Sequence, residues 1–261
     1  MKIATWNVNS IIARLPVVLR WLDETRPDVL CLQETKCIDD KFPHEEFKSR
    51  GYRIECYGQP AYNGVAIASL HQLTDVGRGF SCAPDTGRVN EQQARLICAT
   101  VGGLRVVNIY VPNGSSVGSE KYLFKLEWLE KLREFFDQTC DPGKGVLVCG
   151  DFNIAPEDKD VYDPKAWEGQ ILCSEPERAA LRRIEDWGFE DAFRINTLVG
   201  GQYTWWDYRA GAFQRNNGLR IDLILVTEPL TENCSSVWID KQTREWERPS
   251  DHAPVIAEFD L

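Results

Sequence analysis

Nine short apolar, β-branched runs recur along this 261-residue chain, at about 2–6, 28–33, 52–57, 64–69, 95–101, 104–111, 146–150, 220–226 and 254–259. Each has the length and composition of a strand. Only three helical signals lie between them. One begins near Pro16 and carries Val18, Leu19 and Leu22 on one face; a second begins at Ser119 with Leu123, Leu126, Leu129, Leu132 and Phe136. The third opens on Ser174-Glu175-Pro176-Glu177, a capping box, and runs to Trp187-Gly188. With so many strands per helix, a strictly alternating parallel sheet is excluded. Two sheets packed face to face with helices outside fits better. No low-complexity stretch, linker or sequence repeat divides the chain, so one domain over 1–261 is expected.

Four of these runs meet a short polar side chain where the strand ends or begins. Thr5-Trp6-Asn7-Val8-Asn9 closes the first and Leu32-Gln33-Glu34-Thr35 the second; Gly150-Asp151-Phe152-Asn153 follows Val146-Leu147-Val148-Cys149, and Ser250-Asp251-His252-Ala253-Pro254 precedes the last. Taken singly, each reads equally well as a turn or a surface residue. Together, Asn, Glu, Asp and His on stiff strand ends suit a hard divalent cation such as Mg²⁺ or Mn²⁺ beside a phosphate. Asp151 and Asn153 alternate with Phe152, so they face one way while Phe152 faces the interior.

His252 stands just before Ala253-Pro254, where proline keeps the backbone extended. An imidazole with a defined tautomer needs a carboxylate to orient it. Asp222 is the best candidate: it sits in Arg220-Ile221-Asp222-Leu223-Ile224-Leu225, and a carboxylate in such an apolar strand is costly unless paired. The segment Tyr203-Thr204-Trp205-Trp206-Asp207-Tyr208-Arg209 is aromatic, with Arg215 and Arg220 close by. Adjacent tryptophans on a strand cannot both point inward, and aromatic residues interleaved with basic ones suit stacking along a phosphate backbone.

The bulk numbers narrow the class. Nine scattered cysteines with no Cys-x-x-Cys pair argue against a zinc or disulfide framework and for a reducing cytoplasm. No run of 18 apolar residues is present, so no membrane contact is expected. A net charge of −10 disfavours a nucleic-acid coat protein. It still permits an enzyme that gathers basic residues on one face.

Read in order, Thr-Trp-Asn-Val-Asn-Ser, Leu-Gln-Glu-Thr-Lys, Tyr-Asn-Gly-Val-Ala, Asn-Ile-Tyr-Val-Pro-Asn-Gly, Gly-Asp-Phe-Asn-Ile-Ala-Pro, Gly-Leu-Arg-Ile-Asp-Leu-Ile-Leu and Pro-Ser-Asp-His-Ala-Pro-Val resemble the exonuclease III-type apurinic/apyrimidinic endonucleases. These belong to the endonuclease/exonuclease/phosphatase superfamily, and the match spans residues 2–260. The resemblance implies an α/β fold, a four-layer αββα sandwich of two mixed β-sheets. It implies that Glu34 binds Mg²⁺ (or Mn²⁺), with Asn7 and Asp251 in its inner or outer coordination sphere. Asp151 would activate or orient the attacking water, and Asp151 and Asn153 would lie near a second metal position. Asn153 and Tyr110 would hold the phosphate, and His252, oriented by Asp222, would contact it. Trp205, Leu219 and Ile221 would wall an apolar pocket for a flipped-out sugar lacking its base. Asn113, Arg95, Lys121 and Arg209 would touch the substrate. The implied activity is cleavage 5′ to abasic sites in duplex DNA, with 3′–5′ exonuclease and 3′-end trimming, by a monomer.

The segment Asp163 to Gln170 falls where that family varies; there Trp167 is bulky and Glu168 adds negative charge near the DNA. A 3′-end-processing relative with little internal abasic cleavage is therefore the alternative expectation. A secreted deoxyribonuclease would show a signal peptide and paired cysteines. A sphingomyelinase would show an apolar hairpin, and the pocket segment from Trp205 to Asp222 favours DNA repair over both of these and over an inositol phosphate phosphatase. A catalytically dead binding module would need a broken motif, and each motif is intact.

Overall fold

A computed structural model describes residues 1–82 and 93–261. Its strands are β1 (Lys2–Asn7), β2 (Val29–Gln33), β3 (Arg53–Tyr57), β4 (Val65–Ser69), β5 (Thr74–Arg78), β6 (Leu96–Val101), β7 (Leu104–Tyr110), β8 (Val146–Asp151), β9 (Phe189–Asp191), β10 (Asp222–Thr227), β11 (Cys234–Ile239) and β12 (Val255–Phe259). The main helices are α1 (Ile11–Thr25), α2 (His44–Lys48), α3 (Glu120–Thr139), α4 (Pro164–Trp167) and α5 (Glu175–Glu185).

The strands form two six-stranded sheets, ordered β11-β12-β1-β2-β4-β3 and β5-β6-β7-β8-β10-β9. Each contains one parallel pair, β1 with β2 and β7 with β8, flanked by antiparallel neighbours. The same local order thus occurs twice, a structural repeat that leaves no trace in sequence. Between the sheets lie Ile3, Val29, Cys31, Val65 and Ile67 from one and Val106, Leu147, Cys149 and Ile224 from the other. Their strand neighbours Ala4, Trp6, Leu30 and Leu32 face α1, while Val107, Ile109, Val148 and Leu223 face α3 and α5. Both faces of the central strands are covered, which explains apolar runs without polar alternation.

Three expectations change. The first helix starts at Ile11, with Ser10 Oγ accepting from Ala13 N at 3.3 Å, so Ser10 rather than Pro16 sets its start and Pro16 lies inside. Leu123 turns outward from α3 and is 53% exposed; the buried face carries Tyr122, Trp128, Leu129, Leu132 and Phe136. Strands β5, β9 and β11 escaped notice because they are sheet edges with polar sequences such as Thr-Asp-Val-Gly-Arg. The capping box on α5 is present, Glu177 accepting from Ser174 N at 3.1 Å. Cys31, Cys37, Cys56, Cys149, Cys173 and Cys234 are free thiols; the side chain of Cys82 lies outside the described residues. Among the described residues no helix is long and apolar enough to cross a membrane.

Candidate active site at the shared edge of the sheets

Strand register brings the polar strand ends together. In the first sheet Asn7 pairs with Gln33, which places Glu34 beside Asn7. In the second, Tyr110 pairs with Asp151 and Asp151 with Asp222. His252 precedes β12, which runs antiparallel to β1. The parallel pairs therefore point their C-terminal ends to one edge, where both sheets contribute. Gly150 is required there: at φ 147°, a Cβ would lie 1.9 Å from the carbonyl oxygen of Ile109.

One amide joins the two halves. Asn7 Nδ2 donates to Glu34 Oε1 at 2.8 Å and to Asp151 Oδ2 at 2.9 Å. Lys36 Nζ lies 2.7 Å from Glu34 Oε2 and donates to Asn9 Oδ1 at 2.6 Å. Asn9 Nδ2 in turn donates to Asp251 Oδ1 at 2.9 Å, and Trp205 Nε1 donates to Asp251 Oδ2 at 3.1 Å. Asp151 Oδ1 accepts from Asn153 N at 2.8 Å, and Asn153 Oδ1 accepts from Asn113 Nδ2 at 3.0 Å. The expected dyad is present: His252 Nδ1 lies 2.8 Å from Asp222 Oδ2, while His252 Nε2 faces Asp151 Oδ2 at 3.8 Å. Thr204 Oγ1 accepts from Ile221 N and Asp222 N, fixing the strand that carries Asp222. Trp6 Nε1 donates to the His252 carbonyl at 3.0 Å.

Several of these residues sit in left-handed backbone: Asn9 (φ 45°), Glu34 (51°), Lys36 (53°) and Asn153 (50°). Each non-glycine residue in that region costs roughly 1–2 kcal/mol, and such strain concentrates at functional sites.

Electrostatics follow from crowding buried acids. Burial lifts Asp151 to about 7, and the Asp222 and Glu34 carboxylates add to it against the opposing His252. Burial alone would favour neutral His252, but Asp222 and Asp151 outweigh it and raise the imidazole to about 10. The ring therefore keeps its proton through neutral pH, with Asp222 at Nδ1 and Asp151 facing Nε2. Burial, with Glu34 and Asp151 nearby, keeps the Tyr110 phenol well above its usual range.

One ligand atom each from Glu34, Asp151 and His252 lie within 4.8 Å of one another. Carboxylate oxygens meeting at that spacing fit a hard divalent cation, and Lys36 supplies a counter-charge to Glu34. Asp251 accepts at both oxygens, from Asn9 and Trp205, just as Glu34 does from Asn7 and Lys36.

The sequence signature described as the Endonuclease/Exonuclease/phosphatase family matches residues 4–252. The chain belongs to that family. Within the family it is 36% identical to exodeoxyribonuclease III of Haemophilus influenzae, over 99% of this chain and 100% of the relative. Among family structures it superposes on an AP endonuclease from Archaeoglobus fulgidus with a TM-score of 0.93, at 42% identity and with both chains fully covered. It superposes equally on a 3′ phosphatase from Neisseria bound to a product DNA hairpin, with a TM-score of 0.93, 44% identity and full coverage of both chains. The two-sheet α/β fold is that of the family, and the chain is a phosphodiester hydrolase.

The remaining expected residues divide. Arg95, Tyr110, Asn113 and Lys121 line one cavity of about 470 Å³ with Tyr62, and the Arg95 guanidinium stacks on the Tyr110 ring at 4.7 Å. Trp205 is half-buried, whereas Leu219 (0% exposed) and Ile221 (2%) are covered, packing with Val161, Leu172 and part of Trp167. Arg209 is exposed in the turn after Asp207, its backbone N donating to Asp207 Oδ1 at 2.8 Å. Lys36 and Arg244 are not among the expected residues. Lys36 stands inside a quoted motif, two residues from Glu34, and that spacing is a usable signal. Arg244 was not legible: it lies in a polar stretch yet is buried, donating to the Ser250 carbonyl beneath the rings of Trp206, Tyr208 and Phe213.

Proposed function

We propose that this chain is a divalent-cation-dependent DNA repair phosphodiesterase. It cleaves duplex DNA on the 5′ side of abasic sites and also works on 3′ ends as an exonuclease and 3′-phosphatase. The observation that carries this reading is the junction of Glu34, Asp151 and the Asp222–His252 pair within one hydrogen-bonded cluster. Likeness to an AP endonuclease along the full chain supports the substrate.

In this reading Glu34 holds Mg²⁺ or Mn²⁺, with Asn7 steadying its carboxylate and Asp251 acting through Asn9. The cation supplies electrophilic stabilisation of the phosphate. Asp151, lifted to about 7, receives the proton of the attacking water. Protonated His252, Asn153 and Tyr110 surround the phosphate oxygens and stabilise their developing charge. Trp205 forms the open wall of the sugar pocket, with Leu219 and Ile221 behind it, and Asn113, Arg95 and Arg209 contact the strand.

A Glu34→Ala variant is expected to lose most cleavage at limiting Mg²⁺ and recover part of it at high metal. Equal loss at every Mg²⁺ concentration in a titration of initial rates would remove Glu34 from the ligand set.

One observation favours the narrower reading, 3′-end processing with little internal cleavage. Leu219 and Ile221 are already covered, and Trp167 packs against that cluster beside exposed Glu168. The two readings separate on an internal abasic duplex and a nicked duplex ending in a 3′-phosphate. The proposal expects both to be processed, with a free 3′-hydroxyl left at the abasic cut. Turnover of the nicked duplex alone, with internal cleavage gained in Glu168→Gly, would establish the narrower activity instead.

A further inference from the structure

Behind the candidate phosphate contacts lies a cation that faces no solvent. Lys125 projects inward from α3 with its side chain 0% exposed, against the equally buried Glu177 of α5. Its ammonium donates to Glu177, to the carbonyl of Asn153 at 2.6 Å and to the carbonyl of Asn113 at 3.2 Å. Burying an ion pair costs more desolvation than its attraction returns unless further hydrogen bonds are made, and here the pair also satisfies backbone carbonyls and amides of the adjoining loops. The charge is thus committed to holding loop backbone, not to solvent.

The two carbonyls that Lys125 holds identify the task. They belong to the asparagines that also meet through their side chains, Asn113 Nδ2 donating to Asn153 Oδ1 at 3.0 Å. Asn153 is left-handed, at φ 50°, a conformation that fixes where its carbonyl points and that needs outside support. The route to these carbonyls is kept open by Gly114. At φ 90°, a Cβ there would meet Lys125 Cδ at 3.1 Å and Ile171 Cδ1 at 2.9 Å. On its far side Glu177 accepts from Leu172 N and Ser174 N, both at 3.1 Å. Leu172 packs with Leu219 and Ile221. One buried pair thus ties the two asparagine loops to the segment behind Trp205.

We propose that Lys125, anchored by Glu177, is a positioning residue that holds Asn153 and Asn113 in the geometry needed at the scissile phosphate. The inference rests on the phosphate-holding role given to those asparagines above.

The test uses Lys125→Met/Glu177→Gln, which removes both charges while nearly keeping shape. Its melting temperature should fall by several degrees, because Met leaves the Asn113 and Asn153 carbonyls unpaired, so rates are compared where both proteins are folded. At saturating Mg²⁺ and 3′-phosphate duplex, kcat should fall about ten- to hundredfold, the cost of a small misplacement. KM and the Mg²⁺ concentration for half-maximal rate should hold within about threefold, because the lost interaction acts in the transition state. Glu177→Gln alone keeps the lysine on its carbonyls and should retain most of kcat, whereas Lys125→Met alone should not. If the double variant fails to fold, this contrast between single variants, read at matched unfolded fraction, replaces it. A well-folded double variant with parental kcat overturns the proposal. Amide hydrogen exchange gives a second reading: segments 111–115 and 151–155 should exchange faster while β1 and β12 do not. Unchanged exchange there also overturns it. An unmodified chain inactive on every DNA refutes the proposed function instead, and the exchange reading then decides the tether by itself.

Discussion

His252→Asn is expected to lower kcat on DNA by about a thousandfold or more, and Asp222→Asn nearly as much, while the double variant is scarcely worse than His252→Asn alone. Residues that act as one unit are strongly non-additive, and these two share a 2.8 Å contact with both groups buried. The pH profile sharpens the test. Asp222 is the principal charge raising the imidazole to about 10 against burial. Removing that charge lets burial pull the ring back down, so the protonated form is lost at lower pH. The alkaline limb of the Asp222→Asn rate profile should therefore move to lower pH. Simple multiplication of the two single effects, or an unmoved alkaline limb, would sink the dyad.

The largest effect on stability is expected from Arg220, next to the dyad but with a different task. Its Nε lies 2.6 Å from Asp160 Oδ1, its Nη1 lies 2.7 Å from Asp191 Oδ2, and Arg194 also pairs with Asp160. Arg220 and Asp160 are both fully buried. Removing one member leaves a buried carboxylate without its main partner, which typically costs about 3–5 kcal/mol. For a chain of this size that corresponds to roughly 10 °C in melting temperature. Arg220→Leu should show such a drop by calorimetry, with Mg²⁺ dependence unchanged in the remaining folded protein. A drop of less than about 3 °C would show the network to be dispensable.

How far the sequence disclosed the site depended on whether a residue's task was local. Asp151, Asn153, Glu34 and Asn7 could be picked out because each interrupts an apolar strand, and Asp222 because a carboxylate there demands a partner. Central strands were legible for the same reason, since covering both faces makes them uniformly apolar. Edge strands β5, β9 and β11 were not, because an edge has no need of such a pattern. Lys125 and Arg244 were hidden more deeply. A lysine on a helix reads as a solvent-facing residue, and only the fold reveals that its head reaches two loops some 12 and 28 positions distant in sequence. Leu219 and Ile221 were rightly read as apolar, but that they lie covered rather than lining open space is a matter of packing with Val161 and Leu172.

The pairing of β1 with β12 has a bearing on the order in which the site assembles. β1 completes its hydrogen bonds on one side only when β12 joins it, with Lys2 opposite Glu258, and the nitrogen of Met1 donates to the carbonyl of Phe259. His252 enters with that final strand, while Asn7 and Glu34 wait at the other side of the gap. A pairing between strands so distant in sequence carries a large loop-closure cost and forms late in folding. The imidazole of His252 therefore comes beside Asn7 and Glu34 only once that pairing has closed.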